Sequence, residues 1–245
     1  MFELMTRISD QRWSAAQHQE LETWKVAAAS DVAWLGSLKT AVELYQWLQS
    51  VSRVPRRDER FLEVGIGPLG IGFIAVFGSL RPENNVAVDP LPRIAFASGD
   101  ELIDRSMREL QERVDYRQGR ANALDSIPSR SVDWVICDNL LDHTDDPAAI
   151  LREMRRVVVP AGHVVVTVHC RSLAGLIKWR AMAPLQPNNP NRIMHPQSFT
   201  IRSAEALLEQ HGFRIVASNR GESAFLGEWL GRLRLGRWVL EPEHP

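Results

Sequence analysis

The sequence predicts an α/β fold in which a mostly parallel, seven-stranded sheet is covered by helices on both faces. Two patterns carry this expectation. From residue 61 onward, short apolar runs alternate with segments of helical periodicity, and strands separated by helices join in parallel. A glycine-rich turn, FLEVGIGPLGIG at 61 to 72, links the first apolar run to the first helical segment. The chain has 245 residues, 44% of them hydrophobic, enough for one large domain with small additions.

Ahead of the sheet, residues 10 to 50 read as helical. Trp13, Leu21 and Trp24 mark an early helix. Asp31 is placed to cap a second one, whose Val32, Leu35, Leu38, Val42 and Tyr45 recur at spacings of three and four. The polar, proline-containing stretch from Val51 to Arg60 reads as a linker. Residues 1 to 55 are therefore expected to form a helical cap, and residues 56 to 245 the sheet domain.

The strands are expected at FLEVG (61 to 65), NVAVD (85 to 89), VDYRQG (114 to 119), VDWVICD (132 to 138) and HVVVTVH (163 to 169), with FRIVAS (213 to 218) and RWVLEP (237 to 242) closing the sheet. Helices are expected at 69 to 80, 99 to 114 and 146 to 158. The first is apolar almost all round, as suits a helix between sheet and cap. A last helix, 203 to 211, has Ser203 as its N-cap and Gly212 as its stop. Residues 171 to 199 interrupt the alternation, and a connection of that length is usually functional, so a lid is expected there. Its Leu173, Leu176, Ile177 and Trp179, with Arg171, Lys178 and Arg180 beside them, suit either an apolar or anionic acceptor or packing on the cap.

Composition excludes several classes. With 29 basic and 30 acidic residues the net charge is −1, so no global field favours nucleic acid. Cys137 and Cys170 have no Cys or His at metal-ligand spacing, so reduced thiols and no metal are expected. The N-terminal residues do not resemble a leader, no stretch reaches membrane-spanning length, and a soluble, unprocessed, cytoplasmic protein is expected. The segment EWLGRLRLGRW (228 to 238) is basic and amphipathic, which raises membrane-surface binding, packing on the sheet or a homodimer contact. The near-neutral net charge disfavours the membrane.

Gly65, Gly67 and Gly70 spell G-x-G-x-x-G, a dinucleotide fingerprint, but Glu63 stands two places before the first glycine. A carboxylate at the strand end would repel the pyrophosphate of NAD. It would attract the sulfonium and ammonium of S-adenosylmethionine. Asp89, at the end of the next strand, suits the two hydroxyls of a ribose in either cofactor.

The ordered segments FLEVGIGPLG (61 to 70), VAVDP (86 to 90), GRANAL (119 to 124), VDWVICDNLLDHTDDP (132 to 147) and LREMRRVVVPAGHVVVTVH (151 to 169) resemble the class I S-adenosylmethionine-dependent methyltransferases, in the small-molecule group that includes the type 11-like enzymes. The resemblance implies a three-layer, Rossmann-like sandwich. It also implies that Glu63, Gly65 and Gly67 hold the methionine part of the cofactor and that Asp89, with Pro90 beside it, holds the ribose. The adenine would face the segment at Ala121 and Asn122, and Asp138 and Asn139 would border the sulfur. Two departures stand out. Arg120 replaces an acid common in similar proteins and cannot accept a hydrogen bond from adenine, a part that falls to Asn122 or to a backbone carbonyl. Pro68 and Leu69 lengthen the glycine turn by one residue, with Pro68 expected at the helix start.

Ligands in an open parallel sheet sit beyond the carboxyl ends of the strands, which selects Asp138, Asn139, Asp142, His143 and His169. A hydroxyl acceptor must lose a proton, and a neutral histidine suits that role. His143 ranks first, His169 second and His195 third, while His143 could instead serve only to fix its loop. The expected activity is methyl transfer to a small-molecule acceptor, foremost a hydroxyl oxygen of a sugar or secondary metabolite. The alternatives are an NAD(P)-dependent oxidoreductase, disfavoured by Glu63, and a non-catalytic S-adenosylmethionine-binding protein, which Arg120 leaves open.

Overall fold

A computed structural model of the chain describes residues 8–28, 31–186, 189–221 and 233–243, with only the backbone at 31–34. The chain opens with two helices, α1 (Asp10–Ala28) and α2 (Asp31–Ser50). The sheet region then runs β1 (Phe61–Val64), α3 (Phe73–Phe77), β2 (Asn85–Asp89), α4 (Glu101–Glu112), β3 (Asp115–Gln118), β4 (Val132–Asp138), α5 (Pro147–Val157) and β5 (Val158–Cys170). It ends with α6 (Leu173–Ala181), α7 (Pro190–Met194), α8 (Ile201–Gln210), β6 (Phe213–Asn219) and β7 (Arg234–Pro242).

The seven strands form one sheet in the order β3-β2-β1-β4-β5-β7-β6. All neighbours pair in parallel except β7, which is antiparallel to both β5 and β6. The central strands are buried on both faces, as parallel strands covered by helices must be: all of β1 is buried, and so is the run from Val164 to Val168, polar Thr167 included. At the edge, β3 reads DYRQ and stays largely open to solvent, where charge discourages pairing with another chain. Because β2 and β4 flank β1 on opposite sides, the strand order reverses there, opening a crevice at the carboxyl ends of β1 and β4.

Two clusters cover the faces of the sheet. On one, Leu62, Val135, Val164 and Trp238 meet Leu151 and Met154 of α5 and Leu208 of α8. On the other, Phe61, Trp134, Ile136 and Val165 meet Phe73 and Ile74 of α3 together with Leu44, Trp47 and Leu48 of α2. The second cap helix thus shares the core of the sheet, and Tyr45 stacks on Phe77 with ring centroids 4.2 Å apart.

Several boundaries differ from the sequence expectations. The apolar segment at 69 to 80 is helical only over Phe73–Phe77, because Gly70 adopts φ +62° and Gly72 is extended. Pro68 consequently lies in the loop, five residues before the helix. The additional residue in that loop is used: Leu69 is buried with Ile71, Phe96, Met107 and Ala28, joining α4 to the end of α1. Thr200, not Ser203, caps α8; the Thr200 hydroxyl accepts from the Ser203 N–H at 3.1 Å and the Ser203 hydroxyl accepts from the Thr200 N–H at 2.9 Å. Val158 leaves the helix to begin β5.

The amphipathic segment at 228 to 238 is not a helix where it is described. Residues 228 to 232 lie outside the described residues, and from Arg234 onward the chain is β7, with Trp238 fully buried and opposite Val166. Pairing with β5 takes its backbone and its apolar side chains together. Both cysteines are buried and free. Among the described residues no helix is long and apolar enough to cross a membrane.

Since α2 shares the sheet core, Leu48→Ala should destabilise the whole chain, by about 2–5 kcal/mol for a fully buried leucine. Urea unfolding followed by far-UV circular dichroism should show one shifted transition. A separate early transition confined to the two first helices would contradict the shared core.

Candidate active site

A cavity of about 580 Å³ lies at the carboxyl ends of β1, β2, β4 and β5, roofed by α1 and α2. That volume falls in the range of about 300–1,000 Å³ usual for small-molecule and cofactor sites. Its wall includes every cofactor-binding candidate of the sequence analysis, from Glu63 to Asn139, as well as His143 and His169. His195 stands just behind His143, their rings 4.2 Å apart.

Glu63 is buried beneath the glycine turn. Its two carboxylate oxygens accept the N–H groups of Phe73 at 3.2 Å and Ile74 at 2.9 Å, the first residues of α3. The side chain therefore satisfies the donors that a pyrophosphate would need, a firmer obstacle to a dinucleotide than repulsion alone. Gly72 makes this possible, since a Cβ there would lie 2.3 Å from Glu63 Oε1. Burial pushes the Glu63 carboxyl up to about 8, against the opposing pull of its two backbone donors.

Asp89 holds the other side of the turn. Its carboxylate accepts from Gly67 N at 2.8 Å and Leu91 N at 2.9 Å, and Gly67 has φ +81°, a conformation open to glycine. Burial raises Asp89 to about 6. Trp24 of α1 lies against the same turn, its ring 3.4 Å from where a Gly67 Cβ would stand.

The mismatch at Arg120 has a structural counterpart. Its guanidinium pairs with the buried carboxylate of Asp145 and lies over the Trp13 ring, 4.1 Å from the centroid. Asn122 donates its amide N–H to the same carboxylate at 3.3 Å, which turns its side-chain carbonyl away and leaves it free to accept. An acid is thus present at this end of the cavity, supplied from the loop after β4.

At the opposite end, the Thr167 hydroxyl donates to Asp138, and Asn139, at φ +51°, donates its backbone N–H to Thr167. The Asn139 amide nitrogen is 3.4 Å from His143 Nε2. Burial first, then the neighbouring His195 and His169, pushes His143 down to about 3; His169 is lowered by burial, His195 and Arg171. Both rings are neutral at physiological pH. Glu20 of α1 reaches within 3.8 Å of His143 Nδ1, and burial, reinforced by Asp89, raises its carboxyl to about 7.

Glu20, Trp13, Trp24, Gln17 and Thr23 all line the cavity, and sequence reasoning missed this face of α1 apart from noting its tryptophans. A signal was present: α1 has little segregation of apolar from polar residues, unusual for a helix serving only a core. The 171 to 199 segment divides. α7 packs on α1, with Arg12 reaching the Pro196 carbonyl and the Thr23 hydroxyl near the Met194 sulfur, while Leu173 and Ile177 of α6 face solvent. From this segment Met194 reaches the cavity wall.

Four buried polar atoms of the wall, Gln17 Oε1, Asn139 Oδ1, His143 Nδ1 and His169 Nδ1, have no hydrogen-bond partner among the described residues. Unsatisfied buried groups around one cavity fit a site completed by a polar ligand. A family model described as a methyltransferase domain matches residues 10–218. The chain belongs to this methyltransferase family. Its cofactor is S-adenosylmethionine.

Over 132 residues the methyltransferase is 33% identical to the ubiquinone biosynthesis O-methyltransferase of Ralstonia nicotianae, covering 54% of this chain and 51% of that protein. The chain therefore spans about half the length of this curated relative. Among solved structures it is similar to a putative sarcosine dimethylglycine methyltransferase from Galdieria sulphuraria, with TM-score 0.64, 14% identity, and 92% and 98% of the two chains covered. It is also similar to a phosphoethanolamine N-methyltransferase of Haemonchus contortus in complex with phosphomonomethylethanolamine and S-adenosylhomocysteine, with TM-score 0.57, 14% identity, and 82% and 53% covered. At such identities the structural likeness concerns the fold.

The raised acids give the site a pH signature. Glu63 and Asp89 have ordinary values of 4.5 and 3.8 and rise to about 8 and about 6 in the folded chain. The folded state binds the extra protons, so their stabilising contribution is complete below the ordinary values and is lost as pH rises through the folded ones. A cationic cofactor favours the ionised forms. S-adenosylmethionine should bind more tightly, with proton release, as pH rises from about 6 to about 8, and S-adenosylhomocysteine should show a weaker trend. Calorimetry in buffers of different ionisation enthalpy measures both; equal affinity at the two pH values would refute the link.

Proposed function

We propose that this methyltransferase transfers the methyl group of S-adenosylmethionine to a hydroxyl oxygen of a small molecule, a sugar or secondary metabolite. The observation that carries the reading is the pair of neutral, cavity-lining histidines, His143 and His169, whose Nδ1 atoms have no hydrogen-bond partner among the described residues. The O-methyltransferase name of the Ralstonia relative supports an oxygen acceptor.

The cofactor supplies a methyl carbon activated by its sulfonium, so the protein's work is to align the acceptor, exclude water and handle one proton. In this reading Glu63, Gly65 and Gly67 hold the methionine end, and Asp89 beside Pro90 holds the ribose. Ala121 and the free carbonyl of Asn122 meet the adenine. Asp138 and Asn139 border the sulfur. The helices ahead of the sheet act as a roof, with Trp13 and Trp24 keeping water from the cavity. His143 accepts the hydroxyl proton, with His169 as the second acceptor on the same wall. Burial makes His143 a weak base by itself, and ionised Glu20 strengthens it by stabilising the imidazolium across 3.8 Å.

His143→Ala should slow methylation of a hydroxyl acceptor by about 100-fold or more while cofactor affinity stays nearly intact. Steady-state kinetics on a panel of hydroxyl compounds, paired with cofactor calorimetry, reads both. Turnover within a few fold of wild type would remove the proton-accepting role.

A further inference from the structure

Asp142, His143 and His195 bring one carboxylate and two imidazoles together, each offering a ligand atom within 4.8 Å of the other two. They come from two distant segments, the loop after β4 and the residue that ends α7. The Gln197 N–H donates to the Asp142 carbonyl at 3.2 Å and ties these segments together. His195 Nδ1 is 2.8 Å from the Asn191 carbonyl, which can only accept, so Nδ1 carries the proton and Nε2 presents a lone pair. That lone pair faces Asp142 Oδ2 at 3.9 Å. The Asp142 side chain is 4% exposed, and its Oδ1 has no hydrogen-bond partner. The buried Asp142 carboxylate and the half-buried His195 imidazole thus turn electron pairs towards each other, a pairing that a bound cation completes.

We propose that Asp142, His143 and His195 bind a divalent metal ion of the zinc class in the wall of the cavity. Two histidines and one carboxylate with a further position open is the donor set of catalytic zinc and related ions. His195 has an outer partner of the kind that orients metal ligands, the Asn191 carbonyl, while Glu20 stands 3.8 Å from His143 Nδ1, beyond hydrogen-bond reach. Ligand bonds of about 2.0–2.2 Å around a tetrahedral ion place the donors about 3.4 Å apart, so the 3.9 Å between Asp142 Oδ2 and His195 Nε2 has only a little to close.

What the ion does in the reaction rests on the hydroxyl reading above. A hydroxyl oxygen held on the ion is more acidic. With the ion bound, the His143 lone pair is engaged and the proton passes to His169, the second acceptor of that reading; without the ion His143 keeps the role. The oxygen forms its bond to the methyl carbon as the carbon–sulfur bond breaks and S-adenosylhomocysteine leaves.

The test uses the full chain, freed of metal on a chelating resin and without cofactor. Zn²⁺ affinity is measured by competition with a chromogenic chelator, and Co²⁺ ligation by its visible absorption. The wild type and a His211→Gln control should bind one equivalent, and His195→Gln and Asp142→Asn should each lose at least about tenfold in Zn²⁺ affinity. Failure of the wild type to take up either ion, or equal affinity in His195→Gln, would overturn the site. Circular dichroism verifies folding, and if Asp142→Asn does not fold, His195→Gln on its exposed-side loop decides alone. Zinc uptake without turnover on any hydroxyl compound would sink the acceptor reading and leave the metal site standing; turnover without uptake would do the reverse.

Discussion

The Glu63 carboxylate sits where β1, the glycine turn and α3 converge, and its two hydrogen bonds to Phe73 and Ile74 hold that convergence together. A charged group in this buried position is expensive, and the N–H donors at the start of a helix are among the few partners that make it tolerable. Asp89 performs the matching task from β2 by fixing Gly67. Between them the two acids shape the glycine turn in the wall of the cavity. In the reading proposed above the same carboxylates serve both fold and ligand, which couples their ionisation to the binding of a cation.

The roof is as much part of the site as the sheet. α2 is anchored by Leu44, Trp47 and Leu48 in the core behind β1, and α1 hangs beside it with a mixed face that would be costly in a dry interior. Over a cavity with polar groups in its wall that face is an asset. Trp13 covers the Arg120 guanidinium, Trp24 covers Gly67, and Glu20 reaches the histidine wall. α7 leans on α1 from the far side, so the segment after β5 and the first helix close the same end of the cavity together.

The strands, their order along the chain and the acids at their ends were legible because each depends on local chemistry. An apolar run of five residues buries itself as a strand, and a carboxylate at its end falls at the rim of the sheet whatever the rest does. Element ends were harder to read. Gly70 and Gly72 stop the segment at 69 to 80 from becoming helical until Phe73, and Ser203 yields the cap to Thr200 because the two hydroxyls close a reciprocal pair. The basic run ending at Trp238 has a helical look in isolation, but β5 and β6 pair with the two edges of its backbone and the sheet gives its tryptophan a dry pocket.

From the sequence alone came the parallel sheet, the preference for a sulfonium cofactor over a dinucleotide, and the residues from Glu63 to His169 around one cavity, since strand ends and the crevice between β1 and β4 follow from chain order. Only the tertiary structure decided what meets across distance. Asp145 answers Arg120, Glu20 faces His143, and His195 comes beside Asp142 over a gap of more than fifty positions. Periodicity and spacing report on neighbours in the chain, whereas these pairings exist because helices and loops from separate segments are packed over the same end of the sheet.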